Sequence, residues 1–236
     1  MPNLRPSWFF DITPQVEALA DVGTHLVDRV HSTLLPEQAI DYRIDIGLYP
    51  ARRWPTMVNS AQFRQVTGAA SWPDYLEPCV RGDAVDYFCK TSVQYEIRVV
   101  RVSVETRWNS EAEAGDDMHT ACCRGSHARL ELRQGAAEEY RSELYVMLVA
   151  DIAASLERRI AALQTAYRWV GLAKLGRGWR MTVPDQLRIG HEAHFARLTR
   201  RFLDHVEHRR PLSAWEKPDT LAKYHVCTEG VEMKQG

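Results

Sequence analysis

The stretch from Val93 to Trp108 limits the folds open to this chain more than any other. Val93, Tyr95, Ile97 and Val99 alternate with polar residues, and then Val100, Val102, Val104, Thr106 and Trp108 alternate in the opposite phase. Successive side chains of a strand point to opposite faces, so one uninterrupted strand would move its apolar set across the sheet at Val99–Val100. The phase slip therefore marks a tight turn or a bulge at that point. A period of two in both runs argues for a half-buried antiparallel pair rather than a helix.

Other segments extend the pattern. Thr120–Cys123 and Ala128–Arg133 flank Arg124-Gly125-Ser126 as a hairpin, and Leu144–Val149 adds a strand. Trp169–Leu175 and Trp179–Val183 flank Gly176-Arg177-Gly178 in the same way. Asp41–Tyr49 alternates weakly and suits a strand, while Trp8–Ile12 reads as a short apolar strand or arm. Thr13 is placed to cap a helix with Pro14 at its first position, leading into a helical segment over Asp21–His31 that Pro36 ends. Val22, Leu26 and Val30 form the stripe of that helix suited to packing on a sheet. Residues 50–78 read as a loop region punctuated by prolines, with Arg52-Arg53-Trp54-Pro55 in it and a short helix at Ser60–Val66. Ile152, Leu156, Ile160 and Leu163 mark a helix, and Phe195, Leu198, Phe202 and Val206 mark a last one, with an irregular tail from Pro211. Antiparallel strands bracketed by helices give an α+β fold: a single domain over residues 1–236, with an open, mainly antiparallel β-sheet and helices packed on one face.

Composition narrows the function classes. A formal net charge of −1 over 236 residues gives no footprint for nucleic acid or an anionic membrane surface. No apolar run reaches the roughly 18 residues needed to span a bilayer, and the first residues lack the apolar core of a signal peptide. Five cysteines without CxxC spacing suit reduced thiols and a cytoplasmic setting. Cys122 and Cys123, adjacent in a strand, would point to opposite faces and suit no shared zinc ion.

The chemistry-bearing candidates are few. On a helix, Asp21, His25 and Asp28 fall within about 60° of one another. A carboxylate one turn from an imidazole can orient it, and the imidazole can then take a proton from a substrate hydroxyl. The same spacing also suits a solvated acidic face. Arg52, Arg53 and Trp54 could form a sugar-stacking wall with a hydrogen-bonding arm, or a loop anchored by a buried tryptophan. His191-Glu192-Ala193-His194 lacks the spacing of a zinc-protease motif. His191 and His194 can share a helix face as a metal pair or as structural histidines, and His191 could bind a substrate hydroxyl. Asp116-Asp117-Met118-His119 could supply polar ligands or form a solvated loop. There is no opening βαβ unit and no GxGxxG after a strand, so the sequence offers nothing built to hold a dinucleotide.

Asp21-Val22-Gly23-Thr24-His25-Leu26-Val27-Asp28 resembles the Asp-x-x-x-His helix of the glucose–fructose oxidoreductase/inositol dehydrogenase (Gfo/Idh/MocA) family. Trp8-Phe9-Phe10-Asp11, Ala51–Thr56, Arg107-Trp108-Asn109, Arg133-Gln134-Gly135, Leu144-Tyr145-Val146, Ile189–Phe195 and Trp215–Pro218 resemble a subgroup known as a C-terminal oxidoreductase domain. The resemblance implies an α+β domain that works beside a Rossmann domain, with the active site between the two. It implies His25 as acid/base, acting on a sugar or polyol, and Asp21 as the group that orients and polarises it or binds a substrate hydroxyl. Arg53, Trp54 and His191 are then the expected substrate contacts. NAD(P) is expected only with a Rossmann partner, and no cofactor is expected on this chain alone. A separate Rossmann-domain partner and a homodimer through the sheet face are the expected associations.

Two departures qualify the match. Glu216-Lys217-Pro218 spells the tripeptide of the family's catalytic lysine but lies in the tail, so that role is not carried to Lys217. Small glycines that usually precede the Asp helix are replaced by Val16-Glu17-Ala18-Leu19. The chain thus reads as a truncated or split oxidoreductase, inactive alone. The rival reading is a non-catalytic sugar-binding or dimerisation module.

Overall fold

In a computed structural model, residues 4–109 and 117–233 are described. They divide into two compact units, one from residues 4–109 and 211–233, the other from residues 117–210. The α+β class expected from sequence is present, with the strands shared between two five-stranded sheets rather than one.

The first unit is organised around β4 (Ala84–Ile97), which pairs antiparallel with β1 (Ile46–Leu48), β2 (Arg52–Asn59), β3 (Val80–Arg81) and β5 (Val100–Thr106). The phase slip is a tight turn: Ile97 pairs with Val100, and Arg98 takes a left-handed φ of 54°. Arg98 is held there by its N–H to Asp45 O (2.6 Å) and its guanidinium to Gln38 Oε1 (2.9 Å). Every second residue from Val85 to Ile97 is buried; Val93, Tyr95 and Ile97 follow the alternation read from sequence, whereas Val99 falls in the turn and is exposed.

Two clusters fill this unit. Leu19, Val27, Ile40, Val93, Tyr95, Ile97, Ala222 and Val226 lie where α2 (Val22–Leu34) and α6 (Glu216–Glu232) meet the sheet. Phe10, Val58, Phe63, Leu76, Val85 and Tyr87 form the second, walled by Trp72 and Trp108 beside α3 (Ser60–Thr67).

Several expectations are corrected here. Residues 7–10 form a 3₁₀ turn, not a strand. Its consecutive aromatics Phe9 and Phe10 meet edge-on, and Phe10 lies 5.2 Å between ring centres from both Phe63, tilted, and Tyr87, edge-on. The cap of the short α1 (Ile12–Gln15) is Asp11, whose carboxylate accepts from Thr13 N–H at 2.9 Å. Only Ile46–Leu48 of the expected strand over 41–49 enters the ladder. Upstream, Asp41 and Asp45 close a turn by accepting from Arg43 N–H and Asp41 N–H, both at 3.0 Å. Arg52–Pro55 lies in a strand and not in a loop: β2 pairs only with β4, and its register shifts between Trp54 and Thr56, where Pro55 sits in the bulge. The tail is the 17-residue helix α6. Its buried seam is built of Ala222, Val226, Cys227 and Gly230, too small to show as an apolar stripe. The buried face of α2 is centred on Gly23, Val27 and His31, while Val22 stays exposed.

The second unit has the strand order β6-β7-β8-β10-β9, from His119–Arg124, Ala128–Gln134, Glu143–Leu148, Gly178–Thr182 and Gly171–Leu175. All its pairings are antiparallel, and both sequence hairpins are present. It also carries α4 (Ala153–Leu163) and α5 (His191–Glu207). The stripe of α5 is exposed: Phe195, Leu198, Phe202 and Val206 are each more than half accessible. Among the described residues, no helix is long and apolar enough to cross a membrane.

Candidate active site

The start of α2 is wound tightly over Leu19. The N–H groups of Ala20 and Asp21 both donate to Glu17 O, and that of Gly23 donates to Ala18 O at 2.9 Å. A Cβ on Gly23 would lie 2.9 Å from Leu19 Cδ1 and 3.3 Å from Ala18 O, so only a glycine fits the turn without displacement. Upstream, Val16 has φ 64° and ψ 174°, a backbone region almost reserved for glycine. Val16 therefore holds a strained backbone just ahead of the turn that carries Asp21.

Asp21 precedes the first residue of α2, half-buried. Its Oδ2 accepts from Gln15 Nε2 at 3.0 Å, and its carbonyl accepts from Thr24 Oγ1 at 2.6 Å. His25 is exposed one turn on, with no hydrogen bond or ion pair to Asp21 or to any other described residue. The carboxylate is therefore fixed by an amide, and the imidazole is free to meet a ligand. Asp28, the third member of the stripe, accepts from Lys223 Nζ of α6 at 3.0 Å and ties the two helices together.

Arg53 is not a free arm. Its Nη1 lies 2.5 Å from Glu17 Oε1, and its guanidinium stacks 4.3 Å from the centre of the Phe88 ring. Glu17 is only 6% exposed, so the pair fixes β2 against the turn that carries Asp21. Trp54 is half-buried and pairs across the ladder with Lys90, and the guanidinium of Arg107 lies 6.0 Å from its ring. Glu17, Gln15 and Phe88 were not singled out from sequence. A lone carboxylate within Val16-Glu17-Ala18-Leu19 is the signal that could have found the first.

His31 was also passed over. It is fully buried at the far end of α2, its Nδ1 3.4 Å from Asp219 Oδ1 and its ring edge-on to Tyr95 at 6.0 Å. Burial, outweighing the pull of Asp28, lowers its pKa to about 4, so the imidazole is neutral at pH 7. Cys89 is equally unsuited to nucleophilic work. Its thiol lies 3.3 Å from Thr56 Oγ1, and burial pushes its pKa up.

His191 opens α5 in the second unit, and its side chain lies outside the described residues. His194 is exposed on the same helix, and Asp116 also lies outside the described residues. Among the described residues, no three His, Cys, Asp or Glu side chains converge as metal ligands. Among the described residues every strand pairing is antiparallel, so neither sheet shows there the parallel βαβ crossover whose helix N-terminus would take a pyrophosphate.

Residues 1–235 match the family described as "Putative oxidoreductase C terminal domain". The chain belongs to that family. A crystal structure of an oxidoreductase, named as putative, from Parabacteroides merdae ATCC 43184 superposes on this oxidoreductase C-terminal domain with a TM-score of 0.93 at 38% identity. The match covers 98% of this chain and 54% of the other, so the domain spans about half the length of that solved relative. No curated protein matches it.

Proposed function

We propose that this oxidoreductase C-terminal domain is of the Gfo/Idh/MocA type. It would be the substrate-binding and catalytic half of an NAD(P)-dependent enzyme that oxidises the hydroxyl carbon of a sugar or polyol. The single observation that carries the reading is the start of α2: a free, exposed imidazole at His25 one turn beyond an anchored carboxylate at Asp21. Such an imidazole can accept a hydroxyl proton at Nε2 or Nδ1, and a nearby carboxylate favours the imidazolium that results. The Glu17–Arg53 pair would position the turn, while Trp54 offers an aromatic surface to a sugar face. Nicotinamide chemistry, when such a cofactor is present, supplies the hydride acceptor. This chain's contribution is proton acceptance and substrate orientation, and the dinucleotide would be held by a Rossmann half, in the same polypeptide or another.

The test has two arms. The 236-residue chain alone should show no saturable NADH or NADPH binding by fluorescence, and tight binding would overturn the division of labour. With a Rossmann half supplied and a panel of polyols, His25→Ala should lower turnover by about 10²-fold or more. Unchanged turnover would remove His25 from the mechanism. A second reading, a non-catalytic sugar-binding module, draws on the bonding of Asp21 to Gln15 rather than to His25. It predicts sugar binding by the domain alone that Trp54→Ala abolishes and His25→Ala leaves intact.

A further inference from the structure

One end of the second sheet gathers positive charge that the other described residues only partly neutralise. Arg124 and Arg129 are directly opposite each other across β6 and β7, and the same row continues through Met147 on β8 to Gly178 on β10. Directly opposed residues share a face, and like charges so placed repel at a cross-strand separation of about 5 Å. The β9–β10 turn brings a third guanidinium, Arg177, to the same open cavity of about 620 Å³. Its remaining lining is Gly125, Met147, Leu148 and Val149. Gly178, at the end of the row, adds no side chain to fill it. A Cβ there would come within 2.4 Å of Val146 O.

The charge does not cancel locally. Arg129 contacts Glu131, which also contacts Arg133, so one carboxylate serves two guanidinia. The guanidinia of Arg124 and Arg177 have no hydrogen-bond, ion-pair or ring partner among the described residues. Two unpartnered guanidinia thus face a groove with one apolar wall. Guanidinium forks match oxyanions two bonds at a time, and a phosphoryl group carries close to two negative charges at pH 7, where a single carboxylate carries one. We propose that this groove is a binding site for a small phosphorylated ligand, its phosphoryl group between Arg124 and Arg177 and its apolar part against Met147, Leu148 and Val149. The site is independent of the Asp21–His25 region and of the reaction assigned to it.

Calorimetric titration at low salt with phenyl phosphate and with benzoate tests this on the whole chain. Phenyl phosphate should bind saturably, with benzoate about tenfold weaker or worse. Arg124→Gln with Arg177→Gln should weaken phenyl phosphate by about tenfold or more, while Arg158→Gln with Arg159→Gln, exposed arginines on α4, should not. The proposal is overturned by absence of saturable phenyl phosphate binding up to about 10 mM. It is equally overturned if benzoate binds as tightly, if the groove variant binds like the wild type, or if the α4 control loses as much.

Discussion

Acidification should unfold this domain through His31, and the size of the effect follows from its burial. In the folded chain the imidazole is fully buried against Tyr95, and its pKa is near 4 where the ordinary value is 6.5. The unfolded chain therefore binds the proton first as pH falls, and stability is lost between about pH 6.5 and 4. At about 1.4 kcal/mol per decade the full loss is about 3 kcal/mol, a large fraction of the stability of an ordinary domain. Asp219, whose carboxyl pKa is raised first by burial and then by Asp28, works with the opposite sign, because its protonated form is favoured in the folded state. Lys223 adds to the lowering of His31, while Tyr95 and Cys227, both raised by burial, stay protonated throughout. The contribution of His31 is isolated by urea denaturation of wild type and His31→Phe at several pH values from 7 to 4. Phe keeps the edge-on contact and removes the titration, and His31→Gln serves as a second, polar replacement. The wild type should lose about 3 kcal/mol more than either variant over this range. Equal slopes would refute the reasoning, since a histidine that titrates alike in both states contributes no linkage.

Two further outcomes follow from the neighbourhood of Asp21. Arg53→Ala takes the guanidinium partner from buried Glu17 and should cost about 3–5 kcal/mol by chemical denaturation, whereas Glu17→Gln with Arg53→Met should cost less than the single change. Val16→Gly should raise stability by about 1 kcal/mol, because the valine holds a φ of 64° while the residue is 42% exposed; a lower melting temperature would count against that strain.

The parts of this fold that were legible in the sequence are those in which one physical signal dominates. Alternation from Val93 to Trp108 and the glycine turns at Gly125 and Gly176 gave the antiparallel hairpins, because a period of two with a turn has few other solutions. What stayed hidden was set by partners distant in sequence. Pro55 reads as a loop breaker until β2 is known to be an edge strand with a bulge at that point. The helix α6 reads as irregular because its buried side is made of small residues chosen by the closeness of Leu19 and Val93, not by an apolar stripe of its own. In the candidate site, spacing placed Asp21 and His25 on one helix. It could not show that Gln15 takes the Asp21 carboxylate or that Glu17, 36 positions away, immobilises Arg53.

The helix that presents Asp21 and His25 is held from its other side, and this makes α6 part of the site's construction. His31 lies about 120° around α2 from His25, so the exposed and anchored faces are separate. Leu19 sits between two glycines. A Cβ on Gly23 would meet its Cδ1 at 2.9 Å, and one on Gly230 of α6 would meet its Cδ2 at 2.7 Å, with Val93 Cγ2 at 3.4 Å on the same side. A larger residue at 230 has no room to move toward Val93 and must push Leu19 toward Gly23. Gly230→Val should therefore cost about 1–3 kcal/mol from overpacking. It should also speed amide exchange in the first turn of α2, at Gly23, Thr24 and His25, through the displaced Leu19. Loss of stability with unchanged exchange at those amides would show that α6 supports the sheet alone, and that the turn bearing Asp21 is fixed by Glu17 and Arg53 without it.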